Sequence, residues 1–263
     1  MSQFERPIES GAGPRGLQQA GYGQLGYTTP QFVNVNLSRW LQAILWSFGV
    51  AMTGMLFAAV AVLATFNNYL EEIDEPWTAL DRWQTAEDVF NIVYLVALVL
   101  VIPLVVLLQV WSFKSHKATG WLWPRERKWS RGWSIGAWWI PVANFLLVPM
   151  VLTEIYKIAS GPRDGQSTRN GWALGKSSAT LILWFVLSGV GIGLVSYGAS
   201  LTNLDSFTAT EYRWGVGLVM GGTAVLVGVA MLAIGFIRNV SRKLAPNYYT
   251  SSAVGPTAPI ASK

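Results

Sequence analysis

Four stretches of this chain, at about 41–66, 89–111, 179–201 and 214–237, contain no Asp, Glu, Lys or Arg. About 20 consecutive apolar residues in a helix cross the roughly 30 Å hydrocarbon core of a bilayer, and each stretch is long enough. In hydrocarbon, every backbone N–H and C=O must be satisfied within the protein, which leaves helices or a closed barrel. Runs this long and continuous specify helices. Charged residues make up 13% of the chain, against about 25% in ordinary soluble domains. The expected fold is all-α, a polytopic membrane helix bundle. Trp40 opens the first span and Trp111 closes the second, as residues of the interfacial aromatic belt do. Pro103 lies inside the second span, where neighbouring helices can satisfy the carbonyl it frees.

The rest of the chain divides around these spans. Residues 1–36 are rich in Gly, Gln and Pro and poor in apolar clusters. They cannot bury enough surface to offset ordering entropy, so a disordered cytoplasmic tail is expected. Residues 246–263 are expected to form a second such tail. The membrane domain is then 37–245. The first residues lack the apolar core of a secretory signal peptide.

Residues 132–160 decide the topology. This segment is apolar enough to span, but it carries Pro141, Asn144, Pro149 and Glu154. If it stays on one side, all but two of the 19 lysines and arginines share that side, the exceptions being Arg82 and Arg213. If it crosses, the basic residues divide almost evenly. The excess of Lys and Arg in cytoplasmic loops favours four spans with both termini cytoplasmic. The acidic residues of loop 67–88, from Glu71 to Asp88, agree with this. The segment then becomes a Pro/Asn-broken re-entrant or interfacial element.

Its residues suit that placement. Each proline frees the carbonyl four residues earlier, so Pro141 frees Ala137 and Pro149 frees Phe145. Asn144, between the breaks, is expected to tie the freed backbone with its side chain. After Pro149 a short amphipathic helix is expected, with Leu152, Ile155, Tyr156 and Ala159 on one face and Glu154 paired with Arg131 or Lys157. Trp133, Trp138 and Trp139 stand beside Arg125, Arg127, Lys128 and Arg131. Tryptophans there set depth in the interface, and basic residues attract anionic lipid at about 1 kcal/mol each. Both readings, plain anchoring and a specific lipid or partner site, are open at this level.

Small-residue pairs occur at Gly189 and Gly193, at Gly217 and Gly221, and at Gly132 and Gly136. The first two are expected to pack the third and fourth spans together or to join two copies. The third sits where a tight turn is an equal alternative. Catalytic chemistry finds little support. The chain has one histidine, His116, and no cysteine, so converging metal ligands are not expected. His116, between Lys114 and Lys117, reads as a loop residue. No nucleophile elbow, phosphate loop or dinucleotide fingerprint is present.

The run from Arg131 through Gly132, Trp133, Gly136, Trp138, Trp139, Pro141 and Asn144, followed by Pro149 and Glu154-Ile155-Tyr156-Lys157, resembles the signature of a bacterial membrane family called domain of unknown function 4328. That family is best represented in actinobacteria. It often has a Trp after an Asn-Leu pair, where this chain has Phe145, Leu146 and Leu147. The resemblance implies a membrane protein and no mechanism.

The residues therefore lead to a non-enzymatic, multi-pass plasma-membrane protein without cofactors. Its partners are expected to be anionic lipid headgroups at the cytoplasmic face, a membrane protein or a second copy, and not nucleic acid. The alternative is a permease or channel subunit that uses the Pro-Asn segment as a re-entrant loop. A lipid-modifying enzyme fits least, for want of a nucleophile–base pair.

Overall fold

The computed structural model describes residues 35–72, 74–122, 128–140, 144–161, 177–202 and 208–245. Residues 1–34 of the first expected tail and the whole of the second lie outside these residues, as do Arg125, Arg127 and Pro141, while Val35 and Asn36, expected in the tail, open the first helix. Among the described residues there are six helices and no strand. They are α1 (Val35–Glu71), α2 (Pro76–Leu122), α3 (Trp133–Gly136), α4 (Asn144–Ser160), α5 (Ala179–Thr202) and α6 (Ala209–Lys243). Four of them, α1, α2, α5 and α6, are long and apolar enough to cross a membrane.

Three of the four outrun the bilayer. At 37, 47 and 35 residues, α1, α2 and α6 are about 55, 70 and 52 Å long at 1.5 Å per residue. Only α5, with 24 residues, is close to hydrocarbon thickness, at about 36 Å. Most of loop 67–88 and the first half of loop 112–132 are therefore helix. His116 is a correction to the sequence reading. It lies within α2 and is 1% exposed, on a buried stripe with Ser112, Ser115 and Thr119. The i, i+3 and i+4 spacing of these residues puts them on one helix face, and polar character alone had suggested a loop.

The Pro-Asn segment does not cross. Trp111 near the end of α2, Trp184 near the start of α5 and Phe236 near the end of α6 share one aromatic cluster, with Phe236 6.3 Å from Trp111 and 6.0 Å from Trp184. Leu41 of α1 and Leu152 and Ile155 of α4 belong to the same core. The N-terminal end of α1, the C-terminal ends of α2 and α6 and the whole of α4 thus sit at one end of a four-span bundle. This is the basic end. At the opposite, acidic end, Phe66 of α1, Trp83 of α2 and Tyr212 of α6 pack together.

Side-by-side packing runs α5 to α6, α6 to α1 and α1 to α2, and no packed seam joins α2 to α5. The tightest contact is between α5 and α6. A Cβ placed on Gly198 would stand 2.6 Å from the Gly215 carbonyl oxygen, and one on Gly215 would stand 2.8 Å from that of Gly198. Gly191 and Gly222 repeat the arrangement two turns away, at 3.2 and 2.8 Å. The backbones nearly touch, so only hydrogen fits at these positions. Cα–H groups that face carbonyls across such a seam contribute about 0.5–1 kcal/mol each.

The two helices expected to pair do so, through other glycines. A Cβ on Gly189, Gly193, Gly217 or Gly221 would meet nothing within 4 Å. At about 100° per residue, Gly189 and Gly193 lie two positions from Gly191 and so face the other way. The seam follows a seven-residue spacing, Gly191 to Gly198 and Gly215 to Gly222. Gly132 and Gly136 also make no close helix contact. They bracket the single turn of α3, closed by Gly136 N–H donating to the Gly132 carbonyl at 2.8 Å.

Forcing a side chain into this seam overpacks it by about 1–3 kcal/mol. Gly198→Val and Gly215→Val are expected to lower the thermal midpoint of the detergent-solubilised protein, whereas Gly189→Val and Gly217→Val leave it unchanged.

Candidate functional site

The missing seam between α2 and α5 leaves a cleft of about 360 Å³. Its walls are Leu45, Phe48 and Met52 of α1, Ala97, Val101 and Leu108 of α2, Phe185 and Ile192 of α5 and Val229 and Ala233 of α6. The polar exceptions are Asn144, Ser188 and the tips of Tyr94, Trp138 and Trp184. Trp138, Asn144, Phe145 and Val148 floor the cleft at the basic end.

Asn144 has a different role from the one expected. Its Oδ1 is buried without a hydrogen-bond partner among the described residues. Its backbone N–H, not its side chain, closes the turn, donating to the Ile140 carbonyl at 2.9 Å. The side chain is left against the cleft. Pro149 does not begin a helix either. It lies inside α4, which starts at Asn144. As the sixth residue of the helix, the proline removes the bond its N–H would make to the Phe145 carbonyl.

The floor is held by buried polar contacts. Glu154 is 3% exposed, and its carboxylate accepts the backbone N–H of Trp129 at 3.1 Å. That bond ties α4 to the strand of chain that leads into α3. This donor adds to the basic partners, Arg131 or Lys157, expected from the sequence, and a backbone donor carries no signal in residue type. Trp111 Nε1 donates to Ser241 Oγ at 3.0 Å, which joins α2 to α6. Lys243 reaches across to α4, donating to Ser160 Oγ at 2.7 Å with its ammonium 4.9 Å from the Tyr156 ring centre.

Around the floor lies the aromatic and basic rim. Lys128 and Arg131 are exposed. The Lys128 ammonium stands 5.9 Å from the Trp129 ring centre, and Trp129 meets Trp133 edge-on at 5.4 Å. Trp139 is 72% exposed, and Trp138, one residue earlier, turns in to line the cleft. The structure therefore gathers Lys128, Arg131, Trp133, Trp138 and Trp139 at one end.

A second cavity, of about 410 Å³, lies at the acidic end. It shares Met55, Tyr94 and Val195 with the cleft, so the two are adjacent. Trp83 Nε1 donates to Tyr212 Oη at 3.0 Å, and the Tyr212 hydroxyl donates to Glu87 Oε1 at 2.5 Å. Glu87 was counted among the acidic residues of loop 67–88. Its spacing from Trp83, Phe90 and Tyr94 follows one helix face, a signal in the sequence that the loop reading hid. The α6 end of this cavity begins with a capping box, in which Thr208 and Glu211 satisfy each other's backbone N–H groups.

A bundle of four apolar spans with an irregular segment folded against one end defines a polytopic helical membrane protein. Within that class, the chain belongs to the family described as "Domain of unknown function (DUF4328)", whose sequence profile matches residues 75–242. The match runs from just before α2 to the last turn of α6, takes in the Arg131–Lys157 signature and leaves α1 outside. No curated protein and no solved structure matches the chain.

Replacing Glu154 with Leu leaves the Trp129 N–H unpaired and is expected to cost about 1–3 kcal/mol. Limited trypsin digestion should then cut faster at Lys128 and Arg131. Glu154→Gln, which keeps an acceptor, should cut at close to the native rate.

Proposed function

We propose that this is a non-enzymatic plasma-membrane protein that binds an anionic lipid, with one acyl chain in the α2–α5 cleft and the headgroup at the basic, Trp-rich rim, which faces the cytoplasm. The observation that carries this reading is the position of Trp138. It lines the apolar cleft, and its neighbours in the same short segment include the exposed Trp133 and Trp139 and the exposed Arg131. Hydrocarbon space and positive charge thus meet within the short segment from Arg131 to Trp138.

Magnitudes assign the parts. A chain that moves from bilayer into the cleft exchanges one apolar surround for another, because lipid tails are as apolar as the side chains that replace them. The cleft therefore selects for shape and adds little affinity. Basic residues near an anionic surface contribute about 1 kcal/mol each, so the rim supplies most of the preference. The apolar walls favour a hydrocarbon occupant over a hydrated solute. This supports the lipid reading over a permeation path through Asn144.

Retention of bound lipid by the purified protein in mild detergent, read by native mass spectrometry, tests this. Phosphatidylglycerol is expected to stay bound in preference to phosphatidylcholine. Neutralising two bases with Lys128→Gln and Arg131→Gln should weaken phosphatidylglycerol binding about thirtyfold at about 1 kcal/mol each. Val101→Trp, which fills part of the cleft, should change which acyl chains are retained and leave the headgroup preference unchanged. Equal retention of the two lipids by the native protein would overturn the reading.

Orientation has its own test, because the chain contains no cysteine. In intact cells, Ser206→Cys is expected to react with a membrane-impermeant thiol reagent, and Ser130→Cys, at an exposed position of the basic end, only after permeabilisation. The reverse pattern would place the basic end outside.

A further inference from the structure

We propose that the cavity at the acidic end is a binding site for an ammonium group, held by the Glu87 carboxylate within a box of four rings, Trp83, Phe90, Tyr94 and Tyr212. The observations are independent of the lipid cleft's basic rim. The cavity volume, about 410 Å³, falls in the range of small-molecule pockets, roughly 300–1,000 Å³. All four rings and the carboxylate line it. Aromatic faces attract cations, and quaternary ammonium ligands are commonly held in aromatic cages.

The carboxylate is fixed in place. Tyr212 is buried, and its hydroxyl donates to Glu87 Oε1 while accepting the indole N–H of Trp83. This relay joins α2 to α6 and sets the direction of the Glu87 side chain. An ionised carboxylate has about four acceptor positions over its two oxygens, and the Tyr212 hydroxyl occupies one. Capacity remains for a cation in the cavity. Asn91 and Thr202 also line the space, and they suit a hydroxyl or phosphate oxygen carried on the same ligand. The surrounding end of the bundle bears Glu71, Glu72, Asp74, Glu75, Asp81 and Asp88 against Arg82 and Arg213, a field that concentrates cations near the mouth.

An ammonium group can arrive as a free amine or on a zwitterionic lipid headgroup, and the chemistry is the same. Choline is the probe for both. Its neutral isostere, in which a tert-butyl group replaces trimethylammonium, has the same shape and no charge. With the full-length protein in phosphatidylglycerol nanodiscs, titration calorimetry is expected to show saturable choline binding. The isostere should bind at least about tenfold more weakly. Glu87→Gln should weaken choline about tenfold or more, as loss of a charged partner does. Equal affinity for choline and the isostere in the native protein, or no saturable choline binding, overturns the proposal, and this comparison needs no variant to fold. Repeating the titration in nanodiscs that contain phosphatidylethanolamine separates the sources. Competition by that lipid assigns the site to a headgroup, and unchanged choline affinity assigns it to a free amine.

Discussion

Backbone contact between α5 and α6 at two glycine pairs governs how the bundle closes. With only hydrogen atoms between Gly198 and Gly215 and between Gly191 and Gly222, the two helices approach more closely than any pair bearing side chains. Close approach of this kind replaces the hydrophobic drive that lipid cannot provide. It also commits α5 to one neighbour. The helix spends its small face on α6, and its other faces carry exposed Ile182, Val186 and Val190. The α2 helix is in the same position with respect to α1. Two committed pairs joined through α1 and α6 leave an unsealed side, and both cavities lie along it.

The irregular part of the chain can exist only where its backbone finds partners. Non-helical backbone in hydrocarbon is tolerated when protein or water satisfies it. Here α3 and the start of α4 are placed at the basic end, where the projecting turns of α2 and α6 reach past the membrane to meet them. The buried stripe of Ser112, Ser115, His116 and Thr119 and the Glu154 carboxylate make this end polar inside as well as outside. The extra length of α2 is thus structural support for the segment that carries the family signature.

Much of this was legible in the residues. Uncharged runs gave the number and order of spans, and the distribution of Lys and Arg put the Pro-Asn segment at one end. Both follow from strong physical terms, namely the cost of charge in hydrocarbon and the position of bases at its edge. What escaped has a common cause. Helix that continues beyond the bilayer loses its apolar signature, so residues 76–88 and 112–122 resembled loops although they are turns of one rod. The errors at His116 and Glu87 follow from that. The glycine faces were misplaced for a different reason. A four-residue spacing marks small residues wherever they fall, whereas the contact chose the seven-residue pair that points at the neighbour. The Asn144 side chain was expected to tie the carbonyls freed by the prolines, but it lies against the cleft, and the residue's backbone N–H bonds the Ile140 carbonyl.

The one-sided attachment of α2 has a mechanical result. Its seam with α1 runs along the membrane and its basic end is clasped by α3 and α4, while no packed seam holds its flank toward α5. Rotation about the α1 seam breaks no main-chain hydrogen bond, but besides side-chain packing it works against the Trp111–Ser241 and Tyr212–Glu87 hydrogen bonds to α6. The aperture toward α5 is therefore a flank of α2 without a packed seam, tied across the bundle by those side-chain bonds. Lateral pressure, bilayer thickness or an inserted chain would all act on that flank.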